Sequence, residues 1–107
     1  MPSPAPERRL DAVFSALADP TRRDVVRCLA ESPTSASELA HRLPVSRQAI
    51  AKHLSSLAAA GLVDSARDGR QVRYRLTPEA FSDVVAWMAD VGAAWDDRLA
   101  ALRRRLR

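Results

Sequence analysis

Arg47, Gln48, Ala51, Lys52, Ser55 and Ser56 are the residues whose types and spacing bear most directly on chemistry. They recur at intervals that place them together on one side of a helix, and that side holds cations, an amide and hydroxyls but no acid. An ordinary solvated helix mixes both signs of charge. The face suits a polyanion, and double-stranded DNA is the partner it implies. Gln pairs bidentately with adenine and Arg with guanine, so Gln48 and Arg47 are the candidate base readers. Ser46, Ser55 and Lys52 suit phosphates, which take most of the contacts in such interfaces. His53 is placed with this set, packing inside the domain being its alternative.

Little else in the chain could do chemistry. Two His, one Cys and scattered carboxylates supply no nucleophile beside a base, no metal cluster and no glycine-rich phosphate loop. No catalytic residue, metal ligand or cofactor site is therefore assigned, and an enzyme is the weakest reading. Cys28 adjoins Leu29 and reads as a small buried hydrophobe, and His41 as a surface residue. A single cysteine allows no intramolecular disulfide. No apolar run reaches the roughly 18 residues of a membrane span, and the N-terminus lacks a signal-peptide core. These features predict a cytoplasmic protein with no membrane partner.

Several elements must position the polar face. Ile50, Leu54, Leu57 and Ala58 form an apolar stripe opposite it, on a helix over 46–60 with Ser46 as N-cap and Gly61 at its end. Upstream, Ser35 stands three residues before Glu38, the spacing of a capping box, and predicts a short helix through Leu43. Pro44 then forces a turn. Short helix, turn and second helix make a helix-turn-helix, whose second helix enters the major groove. Beyond Gly61 the period changes to two. Leu62 to Arg67 and Arg70 to Leu76 flank Asp68-Gly69, a two-residue hairpin signal, so 62–76 reads as a wing. In its return strand Val72, Tyr74 and Leu76 alternate with Gln71, Arg73 and Arg75, one face apolar and the other cationic. Arg67 and Arg70 at the tip suit a phosphate or a narrow minor groove, and Arg73 a phosphate.

The ends of the chain read as follows. Residues 1–6, with three prolines, predict a flexible arm, and 7–107 a single domain. Leu10, Val13, Phe14 and Leu17 mark a first helix ending near Ala18, and Asp19-Pro20 starts a second. Thr77-Pro78-Glu79 opens a long helix over about 78–105. Phe81, Val85, Met88, Gly92, Trp95, Leu99, Leu102 and Leu106 follow a heptad seam along it, with Val84, Trp87 and Val91 beside them. Two apolar stripes on one helix can serve its own domain and a second copy, so a symmetric homodimer is expected. Its interface is Leu10 and Phe14 of the first helix with Phe81, Val85, Met88, Gly92, Trp95, Leu99 and Leu102 of the last. Gly92 in the seam suggests close approach of two backbones. Trp87 and Trp95 are assigned to packing rather than to an effector pocket, because helical spacing accounts for them.

Charge follows the same plan. The 107-residue chain carries 17 basic and 13 acidic side chains, a net +4, with a pI near 10.5. Residues 41–75 hold seven basic and two acidic residues, whereas 76–97 hold five acidic and no basic ones. Residues 98–107 then add five arginines, which read as solvated near the negative end of a helix dipole. Positive charge is thus concentrated on the helix-turn-helix and wing. With 47% hydrophobic and 5% aromatic residues, the core must be built from Leu, Val and Ala. The fold class expected is mainly α with a small β-hairpin wing: a winged helix-turn-helix with five helices.

Leu17-Ala18-Asp19-Pro20-Thr21-Arg22-Arg23, Glu38-Leu39-Ala40 and the run Ser46 to Leu57 closing with Ala60-Gly61-Leu62-Val63 resemble the ArsR/SmtB-like family of bacterial winged helix-turn-helix repressors. The resemblance spans about Val13 to Leu76 and implies a dimeric operator-binding repressor, dimerised by its first and last helices. The family's metal motifs do not carry over. Where one type has Glu-Leu-Cys-Val-Cys, this chain has Glu38-Leu39-Ala40-His41-Arg42, and residues 78–107 contain no His for the other type. The resemblance is to the metal-independent members, and the inducer is left open. A protein-binding winged-helix module with incidental DNA affinity is the alternative, against which the acid-free face argues.

Overall fold

Leu39, Ile50, Leu54, Leu57 and Leu62 are withdrawn completely from solvent, together with Val13 and Val25, and the chain is wrapped around them. The computed structural model describes residues 6–106, with side chains from residue 9 onward. Its elements, in order, are α1 (Pro6–Leu17), α2 (Pro20–Glu31), β1 (Thr34–Ser35), α3 (Ala36–Arg42), α4 (Arg47–Ala59), β2 (Val63–Asp68), β3 (Gln71–Leu76) and α5 (Pro78–Arg105). Of the expected arm, residues 1–5 lie outside the described residues, and α1 already includes Pro6.

Local chemistry sets most boundaries. Asp19 caps α2 by accepting the Arg22 N–H at 2.9 Å, with Pro20 at the first helical position. Arg22 and Arg23 then reach back to the end of α1, donating to the carbonyls of Ala16 at 2.6 Å and Leu17 at 2.7 Å. Those carbonyls have no partner within α1, and a cation also suits that end of the helix dipole. Leu17 to Arg23 is thus a splice between two helices. Ser35 caps α3 through the Glu38 N–H; among the described residues Glu38 does not return the bond, so only half of the box forms. Ser46 caps α4 by accepting the Ala49 N–H at 3.1 Å. Gly61 follows α4 at φ +79°, a backbone conformation that residues with a Cβ avoid.

Three findings differ from the sequence reading. First, β1 pairs antiparallel with β3, Thr34 opposite Tyr74 and Ser35 opposite Arg73, making a three-stranded sheet of order β1-β3-β2. Second, the hairpin turn is displaced by one residue. Asp68 is the last residue of β2 and pairs with Gln71, leaving Gly69 and Arg70 as the loop. Only Gly69 has positive φ, at +64°, which fits a turn needing glycine at its first central position alone. Third, Thr77 makes no capping bond to α5; its hydroxyl instead donates to the Gly61 carbonyl and ties the end of α4 to the start of α5.

The core lies between α1, α2, α3, α4 and the base of the sheet, and Cys28 is buried in it as a free thiol. Ala58, expected on the apolar stripe of α4, is exposed. Among the described residues, the long α5 packs against the core at its beginning, through Ala80, Phe81 and Val84. Arg9 also meets Asp83 at 3.3 Å, and Phe14 meets Trp87 edge to face at 5.6 Å. The rest of the helix stretches the molecule to 65 Å in its longest direction.

Candidate nucleic-acid interface

Ile50, Leu54 and Leu57 fix the rotation of α4 by facing the core, and the outer side follows from that. Ser46, Arg47, Gln48, Ala51, Lys52, Ser55 and Ser56 are all exposed there, with no acidic neighbour on the helix. His53 leaves this group. It is turned toward α2, its Nδ1 3.9 Å from the Asp19 carboxylate, and only 21% of its side chain is accessible. The same carboxylate accepts the Arg22 N–H, and that hydrogen bond, aided by the charges of Arg22 and His53, lowers the Asp19 pKa although partial burial opposes it. His53 therefore braces α4 against the α2 cap.

The wing register decides which arginines are free. Residues directly opposite in an antiparallel pair point to the same side of the sheet. Arg67 opposes Val72, whereas Arg75 opposes Asp64 and Arg73 opposes Ala66. Arg75 meets Asp64 at 3.1 Å, and Arg73 meets Asp68 diagonally at 3.0 Å. The cationic outer face read from β3 alone is thus neutralised by acids of β2. Arg67 and Arg70 at the tip, together with Arg47 and Lys52 on α4, make no ion pair among the described residues. These four cations belong to two elements and make up the unneutralised positive charge of the helix-turn-helix and wing.

Two recesses flank Ser35, Ser37 and Gln71, which line both. One, of about 280 Å³, lies between the start of α4 and the wing and is shared by Arg47 and Arg70. The other, of about 420 Å³, is bordered by His41, Arg73 and Glu38. Ser37 and Gln71 give no signal in the sequence because α3 and β3 are distant in the chain and are brought together by the fold. The neutralising role of Asp64 and Asp68 gives none because it depends on register.

The expected interface on the other side of the molecule divides in two. Phe81 is half-buried against the core of its own chain, and Leu10 is half-buried. Val85, Met88, Trp95 and Leu102 are 65%, 56%, 57% and 51% exposed. Gly92 faces open space, where an added Cβ would meet nothing within 4 Å. Leu99 is half-buried and Phe14 sits at the boundary, 37% exposed. Trp87, at 45%, and Trp95 are therefore not core residues of the single chain. Among the described residues no three His, Cys, Asp or Glu side chains converge, and no helix is long and apolar enough to cross a membrane.

Comparison with known proteins agrees with this architecture. Residues 17–66 match the helix-turn-helix domain family. The HTH-type transcriptional regulator Rv2034 of Mycobacterium tuberculosis is 40% identical over 88 residues, covering 82% of this chain and 79% of that protein. An ArsR-like transcriptional regulator from Rhodococcus sp. RHA1 superposes with a TM-score of 0.79 at 47% identity, covering 92% of both chains. The homodimeric winged helix-turn-helix DNA-binding domain of Mb0332 from Mycobacterium bovis gives 0.64 at 26% identity, over 86% of this chain and 82% of that one. Its structure was described as that of a possible ArsR-family regulator. With the helix-turn-helix, the wing and the long terminal helix all in place, the chain belongs to the ArsR/SmtB-like family of winged helix-turn-helix transcriptional regulators.

Proposed function

We propose that the protein is a homodimeric repressor that reads an inverted-repeat operator, with α4 of each protomer in successive major grooves about 34 Å apart. The observation that carries this reading is the group of unpaired cations Arg47, Lys52, Arg67 and Arg70 on the recognition helix and wing tip, around an acid-free face. Gln48 reads bases; Arg47 at the start of α4, with Ser46, Ser55, Lys52 and the wing arginines, positions the backbone. Ala51 is exposed in the middle of the face, where its methyl suits a thymine methyl. The exposed seam of α5 supports pairing of two copies, and the homodimeric Mb0332 domain is a precedent for that assembly in a relative.

Regulation in this reading does not use a soft metal. The α3 positions Ala40, His41 and Arg42 bring no thiol, and α5 brings no imidazole. The test is selection of purified protein against random 30-base-pair duplexes at near-physiological salt. An enriched inverted repeat with one-turn half-site spacing is the expected result, and Gln48→Ala then relaxes the sequence preference while Arg70→Gln weakens all DNA alike. A pool with no enrichment would favour a protein-binding module instead.

A further inference from the structure

We propose that the recess between α3, α4 and the wing seats one phosphate of the operator backbone, with Ser37 and Gln71 as its positioning residues. This inference rests on the DNA-binding reading above. Arg47 at the start of α4 and Arg70 in the wing loop both line the recess, and among the described residues neither pairs with a carboxylate. No acid lines it. Ser37 is half-buried in its wall and, among the described residues, makes no side-chain hydrogen bond; Gln71 likewise has its amide free. Two guanidinium groups with a hydroxyl and an amide donor between them match the oxygens of one phosphodiester.

The neighbouring recess is the natural comparison, since Ser37 and Gln71 line it too. There Glu38 forms part of the wall, and Arg73 is already held at 3.0 Å by Asp68. An anion entering it would face one carboxylate and displace another. Of the two, only the seat beside Arg47 and Arg70 offers cations without a competing acid. Because those cations come from the recognition helix and the wing, a phosphate held there fixes the two reading elements in register on one strand.

The test is a methylphosphonate scan of the selected operator, neutralising one backbone position at a time, with wild type and a Ser37→Ala/Gln71→Ala variant. In wild type, one position per half-site should cost about ten-fold in affinity, the size of a lost hydrogen bond to a charged group. In the variant that same lesion should cost several-fold less than in wild type, since the hydroxyl and amide contacts are already gone, other positions should behave as before, and the salt slope should stay that of wild type because Arg47 and Arg70 remain. A variant as sensitive as wild type at every position would overturn the seat. The single Gln71→Ala variant gives the same readout should the double variant melt early. If wild type enriches an inverted repeat yet the two scans coincide, the seat alone fails; if wild type enriches nothing, the DNA reading fails first.

Discussion

Ser46 has two duties that can be separated by substitution. Its hydroxyl accepts the Ala49 N–H and so begins α4, while its place at the edge of the reading face suits a phosphate. Ser46→Ala should lower stability by about 1 kcal/mol, the typical loss of a cap. Ser46→Asp should keep the cap, because Asp is as good at that position, yet repel DNA through its charge. A melt and a binding titration on both variants check this; an Asp variant that binds like wild type would remove Ser46 from the interface. Asp19 gives a pH signature at the same scale. Its carboxyl is held below the ordinary value chiefly by the Arg22 N–H, with the charges of Arg22 and His53 assisting. Stability from a depressed carboxylate is fully present above the unfolded pKa of about 3.9 and is lost as pH falls through the folded one. Asp19→Asn keeps a capping side chain without that linkage. The stability gap between wild type and Asp19→Asn should therefore close below about pH 4, as followed by denaturation at a series of pH values. A gap constant with pH would show that only the neutral cap matters.

At the scale of elements, the wing holds a brake on its own cation. The Arg73–Asp68 pair is exposed on both sides, at 52% and 67%, and such pairs contribute about 0–1 kcal/mol. A DNA phosphate can replace the carboxylate at little cost, so Asp68→Asn should raise affinity for any DNA by up to about five-fold at low salt. Asp11→Asn on α1 makes the same change in net charge and is the control. Equal gains from both would mean that total charge, not the release of Arg73, is responsible. The elements also show what the amino-acid order makes legible. Asp19, Ser35, Ser46 and Gly61 act within three or four residues of themselves, so their caps and the helices they bound could be read directly. β1 could not, since a two-residue strand exists only by its bonds to β3, some 40 positions away. The turn position and the neutralisation of Arg73 and Arg75 depend on strand register, which alternation alone leaves open by a residue. The outer face of α4 was legible because its inner face was; His53 lies near the boundary between them and was resolved only by Asp19 of another helix.

Across the whole molecule, α5 shows why two stripes on one helix had to be divided by structure. Its 28 residues extend about 42 Å, and among the described residues its first turns pack against the chain's own core. Phe81 and Val84 belong to that inner stripe, with Trp87 at its edge against Phe14. The outer one, through Val85, Met88, Gly92, Trp95 and Leu102, is left in water by a single chain. Met88 is a suitable probe, because it is 56% exposed and is not among the residues packed against the core. Met88→Glu should leave the thermal unfolding of the monomeric domain within about 0.5 kcal/mol of wild type, as for other surface substitutions. In the dimer it would place two like charges against an apolar seam, so sedimentation should show monomers at concentrations where wild type is dimeric. Operator affinity should fall with assembly, because each half-site then binds alone, and the salt slope should approach half its dimeric value. Leu99→Glu is a companion probe, since Leu99 is half-buried in one chain but is not among the residues packed against its core. A Met88→Glu protein that sediments as a dimer and binds the operator normally would place the subunit contact elsewhere, and the exposed face of α5 would then need another occupant.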